Sequence, residues 1–185
     1  MAPAYDNPPY AIVELTKRIP RSVGVLAWTA GHVMLYIALP LELSRLGNRA
    51  GWKRPPRVAL RGAGLLTVAA GGAVIVWAMA AHYQAAPKGW ALEWRSTPSY
   101  LLRAGPYRLS RNPMYAGGVL VWLGWALFYR SPAVWAGLAV VSAAWATVVR
   151  WEERWLGERY GDTYRAYLAE VPRWLGGLGK SAQRS

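Results

Sequence analysis

Four apolar stretches dominate this chain: Val23 to about Leu43, Val58 to about Tyr83, Met114 to about Tyr129 and Ala133 to about Val149. Crossing a hydrocarbon core of roughly 30 Å takes about 20 helical residues, or about 17 when the helix stands upright. Each stretch therefore predicts a transmembrane helix. The composition agrees, because 54% of the 185 residues are hydrophobic and only 17% charged, against about 25% charged in an ordinary soluble domain. The expected fold is all-α, an integral membrane bundle of about four transmembrane helices with a C-terminal amphipathic cytosolic helix. The whole chain, 1–185, reads as a single membrane domain, with two N-terminal transmembrane helices inside 23–83.

Only Arg130, Ser131 and Pro132 separate the third stretch from the fourth. They predict a tight antiparallel hairpin, with Pro132 in a first helical turn. A hairpin returns the chain to the side it left, so the segments Pro87 to Tyr115 and Arg150 to Trp174 emerge at one membrane face. Those two segments also hold most of the polar residues. The N-terminus lacks the layout of a cleavable signal, since Asp6, Pro8 and Pro9 precede an apolar run that begins at Val23.

Placing both termini in the cytosol puts 15 of the 22 Lys and Arg on that side and 7 on the other, in the sense of the positive-inside tendency. Against it stands a basic patch, Arg45, Arg49, Lys53, Arg54, Arg57 and Arg61, on the outer side. A formal charge of +13 in so apolar a chain points to anionic phospholipid at the headgroups rather than to nucleic acid. Without cysteine, and with only His32 and His82, neither a thiolate nucleophile nor a metal site is expected. Twelve tryptophans and eleven tyrosines fit an interfacial belt, and can also cage a cation. His32, mid-helix, fits either a functional group or a neutral histidine bonded to a neighbouring helix.

Two places can carry chemistry. The first is Gly105-Pro106-Tyr107-Arg108-Leu109-Ser110-Arg111-Asn112-Pro113-Met114-Tyr115-Ala116-Gly117-Gly118. Pro113 is placed to open the third helix with Asn112 as its cap, and the N–H groups of such an end, reinforced by Arg111, suit an anion. Gly117 and Gly118 allow either a flat ligand or another helix to approach. The second place is Glu152-Glu153, directly after the apolar run, where an unpaired carboxylate is costly. It calls for a polar cavity or a cationic partner, with Arg150 and Arg154 as internal candidates.

Gly-Pro-Tyr-x-x-x-Arg-Asn-Pro-x-Tyr-x-Gly, an apolar hairpin, Glu152-Glu153, then Tyr160-Gly161-x-x-Tyr164-x-x-Tyr167 and Val171-Pro172-Arg173 form an ordered set. It resembles the isoprenylcysteine carboxyl methyltransferase and phospholipid methyltransferase superfamily over 105–174. The resemblance implies a membrane methyltransferase using S-adenosylmethionine, with a membrane lipid or other lipophilic substrate entering from the bilayer: an isoprenoid or prenylcysteine-type carboxylate, or a phospholipid amine. It further implies that Tyr107, Arg111, Asn112, Pro113, Tyr115 and Gly117 line the cofactor pocket, that Glu152 or Glu153 binds the cofactor's amino or ribose groups, and that Tyr164 and Arg173 close it. Asn112 and Glu153 are the implied catalytic pair. Asn112 stands where many members carry histidine, and an amide keeps a hydrogen bond but cannot titrate near neutral pH. A carboxylate acceptor needs no base, whereas an ammonium must first lose a proton, for which Glu153 is the candidate.

Two other readings share parts of the pattern. Membrane sterol reductases that use NADPH carry a related Arg-x-Pro-x-Tyr block, but they span many more helices. A non-enzymatic lipid-binding or assembly protein would keep the fold without the cofactor. A composition rich in Ala, Arg, Gly and Trp hints at a GC-rich bacterial genome, and hence at the bacterial inner membrane.

Overall fold

The structure, a computed structural model, describes residues 21–52, 55, 57–85 and 100–174. The first rod is α1 (Arg21–Val33), a π-helical turn (Met34–Ala38) and α2 (Leu39–Arg49) end to end. Then come α3 (Val58–Ala85), a 3-10 turn (Gly105–Arg108), α4 (Pro113–Tyr129) and α5 (Pro132–Glu170). No strand occurs among the described residues. The first rod, α3 and α5 are each long and apolar enough to cross a membrane, and α4 is a shorter apolar helix of 17 residues. Large apolar side chains such as Leu26, Met34, Ile37, Leu66, Val76 and Val140 lie exposed, as lipid-facing surfaces require.

The π-helical turn has an identifiable cause. In an unbroken α-helix the Tyr36 carbonyl would accept from the N–H four residues on, but that residue is Pro40, which has none. The turn widens, so that Leu39 N–H reaches back to Met34 O. The orphaned Tyr36 carbonyl accepts instead from Trp125 Nε1 of α4, at 2.6 Å. Trp125→Phe should therefore lower stability by about 1 kcal/mol, read from reversible unfolding in mixed micelles. No change would mean that another donor reaches the carbonyl.

α4 lies at the centre of the bundle, against α3, α5 and the first rod. Its contact with α3 is backbone on backbone. A Cβ on Gly71 would sit 2.5 Å from Gly117 O, and one on Gly64 would sit 2.6 Å from Gly124 O. Gly117 and Gly124 face the same obstacle from the other side, at 2.8 Å and 2.6 Å from the carbonyls of Gly71 and Gly64. Behind this contact Trp122, Ala126 and Val134 are fully buried, with Leu43, Leu138 and Trp145 packed around them.

Arg130 ends α4 in the left-handed conformation (φ 53°) and Pro132 opens α5, as the hairpin residues predict. Two helices run past their apolar stretches. The first rod continues through Arg49, with Ser44 and Gly47 buried on one face and Glu42 paired with Arg45 on the other. Arg45 and Arg49 of the basic patch thus belong to a helix, as does Arg61 in α3, while Lys53 and Arg54 of that patch lie outside the described residues. α5 likewise continues from its membrane stretch, which ends at Val149, into the expected amphipathic C-terminal helix. It bends at Gly161, whose φ of 50° interrupts the helix and suits a residue without Cβ. Beyond the bend Tyr164, Tyr167 and Val171 are buried together beside Leu101, Leu156 and Tyr160, forming a cap over one end of the bundle.

Candidate functional site

The bend at Gly161 decides what the cap can reach. Arg173 follows Glu153 by 20 residues, about 30 Å along a straight helix, yet Arg173 Nη2 lies 2.7 Å from Glu153 Oε2. Arg173 Nε donates to the same oxygen at 2.9 Å. The other oxygen, Oε1, accepts from Arg111 Nε at 3.0 Å and Asn112 Nδ2 at 3.3 Å. One carboxylate thereby ties together the segment before α4, the middle of α5 and the C-terminal end of the cap. Arg111 also donates through Nη1 to the carbonyls of Leu168 and Val171. Burial would raise the Glu153 carboxyl, but the hydrogen bonds and charges of Arg173 and Arg111 outweigh it and hold the group below the ordinary glutamate range.

Asn112 is not the side-chain cap that its position suggests. It sits at the N-cap of α4, but no capping hydrogen bond leaves its side chain. Its amide donates to Glu153 and to Arg173 O, and its own N–H donates to Ser110 Oγ, which in turn donates to Arg173 O. Arg111 likewise points at the cap instead of reinforcing a positive helix end. Tyr164 is a core residue of the cap, 1% exposed. Pro113 opens α4 and is buried. Gly117 has no room for a flat ligand, because α3 fills the space in front of it.

Glu152 faces elsewhere. On a helix it lies about 100° from Glu153, and the Tyr115 hydroxyl of α4 is near enough to bear on its carboxylate. Among the described residues no Arg or Lys pairs with it. Burial, and then the charge of Glu153, raise its carboxyl above the ordinary range, with the Tyr115 hydroxyl pulling the other way. Tyr115 begins a run of aromatic rings. Tyr115 and Trp145 have centroids 6.1 Å apart, Trp145 and Tyr36 are 6.0 Å apart, and Tyr107 is close enough for its phenol to feel the carboxylate. The sequence-predicted residues thus divide into a knot (Arg111, Asn112, Glu153, Arg173) and a second cluster (Tyr107, Tyr115, Glu152).

Sequence reasoning missed the contributions of Tyr36, Trp145 and His82. His82 Nε2 lies 2.9 Å from the Tyr107 hydroxyl, and Tyr100 OH donates to the His82 carbonyl at 3.1 Å. An ionisable side chain at the end of an apolar helix was the available signal. His32 is satisfied within its own helix, its Nδ1 2.8 Å from Trp28 O, rather than bonded to a neighbour. No cluster of three potential metal ligands exists among the described residues.

The model of the phospholipid methyltransferase family matches residues 60–163. This chain belongs to that family. Membership makes it an integral membrane protein of a methyltransferase family, and the matched span begins in α3, so it includes His82 as well as the block around Asn112. An uncharacterised protein of Haemophilus influenzae is 32% identical over 63 residues, which are 34% of this chain and all of that one. No solved structure matches.

Proposed function

We propose that the chain transfers a methyl group from S-adenosylmethionine to the ammonium-type headgroup of a lipophile held in the bilayer. The observation that carries this reading is Glu152: a recessed carboxylate near the Tyr115 hydroxyl and the Tyr107 phenol, without a cationic partner among the described residues. Such a group favours a positive ligand, and aromatic faces add to that preference. The residues therefore fit the cofactor. Glu152 would hold its amino group, Tyr115 would fix the carboxylate's orientation, and the rings of Tyr36, Trp145 and Tyr107 would line the site. Bound there, S-adenosylmethionine supplies a methyl carbon on a sulfonium. The protein's part is alignment and exclusion of water.

In this reading 105–174 is the methyltransferase core, and the knot on Glu153 holds its two halves in register. The cap faces the cytosol, both termini lie on that side, and the basic residues outside the site meet anionic phospholipid of a bacterial inner membrane. Calorimetric titration of the detergent-purified protein with S-adenosylhomocysteine tests the assignment. Saturable binding is expected, weakened about tenfold or more in Glu152→Gln, a loss of ~1.4 kcal/mol or more. Because the carboxyl of Glu152 is raised, affinity should begin to fall, on acidification, above the pH where an ordinary glutamate protonates. Absence of binding, or equal binding by the variant, would overturn the reading.

A further inference from the structure

Resting on the methyl-transfer reading above, we infer that Tyr107 and His82 form a proton relay. The phenol oxygen of Tyr107 takes the proton that an ammonium headgroup must lose, while its own hydroxyl proton passes to His82 Nε2. The geometry supplies the direction. Tyr100 has one hydroxyl proton, and the His82 carbonyl at 3.1 Å is a closer acceptor for it than His82 Nδ1 at 3.4 Å, which favours Tyr100 accepting from Nδ1. Nδ1 then carries the imidazole proton. That leaves Nε2 as the acceptor from the Tyr107 hydroxyl, 2.9 Å away. A neutral tyrosine whose proton points at an imidazole keeps its oxygen lone pairs for a second donor.

Asn112, in the motif position, cannot titrate, and the Glu153 carboxylate already accepts from Arg111, Asn112 and Arg173. Among the described residues the titratable groups around the relay are Tyr100 and Tyr107 themselves, with Tyr160, Tyr167 and Glu152 of α5 acting on them and Tyr115 of α4 beside Tyr107. Burial first, then Tyr167, Glu152 and Tyr100, hold the Tyr107 phenol well above its ordinary range. It therefore passes a proton on as a neutral group rather than serving as a phenolate.

The step balances. One N–H bond of the headgroup breaks as an O–H bond forms on Tyr107; the former O–H bond breaks as Nε2–H forms on His82. The positive charge moves from headgroup to imidazole. The freed nitrogen lone pair then bonds the methyl carbon as the carbon–sulfur bond breaks and its electron pair leaves with sulfur. The imidazolium returns its proton to solvent at the membrane face, where α3 ends at Ala85.

With only two histidines in the chain, nitrogen-15 NMR of labelled protein in nanodiscs resolves the tautomer directly. The relay requires His82 in the Nδ1–H form, shifted on Tyr107→Phe. An Nε2–H form would overturn it. Methyl transfer to vesicles containing phosphatidylethanolamine, measured from pH 6 to 10 alongside S-adenosylhomocysteine affinity, gives the second test. In His82→Gln, outside the cofactor lining, and in Tyr107→Phe, which keeps the ring that lines it, the affinity should stay within about twofold, while the rate at pH 7 falls about 10²-fold. The deficit should close towards pH 10, where the amine deprotonates unaided. A deficit equal at all pH values, an unchanged rate, or loss of affinity in both variants would assign the pair a structural role instead. A wild-type protein that binds S-adenosylhomocysteine but leaves the amine unmethylated would also overturn the relay. One that binds no S-adenosylhomocysteine would take down the methyl-transfer reading itself.

Discussion

Replacing Glu153 with alanine is expected to destabilise the fold by about 3–5 kcal/mol. Its carboxylate is nearly buried and accepts from Arg111, Asn112 and Arg173 at once. The cost comes from what stays behind. The Arg111 side chain, 11% exposed, would keep its charge and lose its counter-ion, whereas Arg173, 41% exposed, can turn to water and adds less. Arg173→Gln should accordingly cost much less than Glu153→Ala. The sign of the pH effect follows from the lowered carboxyl. The stabilisation is complete above the unfolded value of about 4.3 and is lost as pH falls through the lower folded value. Chemical unfolding at pH 7 and at pH 3 measures both effects. A Glu153→Ala protein as stable as the parent would mean that the cap is held by its apolar contacts alone.

The second large effect is expected at Gly71. Alanine there must place a methyl group 2.5 Å from the carbonyl oxygen of Gly117, and the nearest obstacles include the Val121 nitrogen at 2.8 Å. These are backbone atoms within a helix and cannot rotate aside. α3 and α4 would have to separate, for about 1–3 kcal/mol of overpacking strain. Gly72, with nothing within 4 Å of its Cβ position, is the matched control, and Gly72→Ala should be neutral or slightly stabilising. Equal stability of the two variants would refute the close approach.

Much of this architecture is legible in the chain. The apolar runs mark the spans, and Arg130-Ser131-Pro132 marks the hairpin, because helix stop and start signals are local. The helix ends at Arg49 and Glu170 are less legible, since an amphipathic continuation carries no hydropathy signal. Within the site, the motif order brings Arg111, Asn112, Glu153 and Arg173 to notice as a group, and they do meet. What each does is another matter. Whether Glu152 or Glu153 faces the knot depends on the rotation of α5, which tertiary packing sets. The side-chain role of Asn112 is redirected by Ser110, which supplies the local hydrogen bond two residues earlier. His82 stands 25 residues from Tyr107, and only the antiparallel packing of α3 on α4 joins them.

The modest length of α4 sets a depth. Its 17 residues measure about 25 Å, less than the roughly 30 Å hydrocarbon thickness, while its neighbour α3 has 28 residues. A helix shorter than the hydrocarbon core is met by local thinning of the bilayer. Tyr115 stands in the first turn of α4. Under the methyl-transfer reading, a lipid headgroup would meet the site with its chains still among other lipids, and the energy of extracting them into water would not enter the reaction.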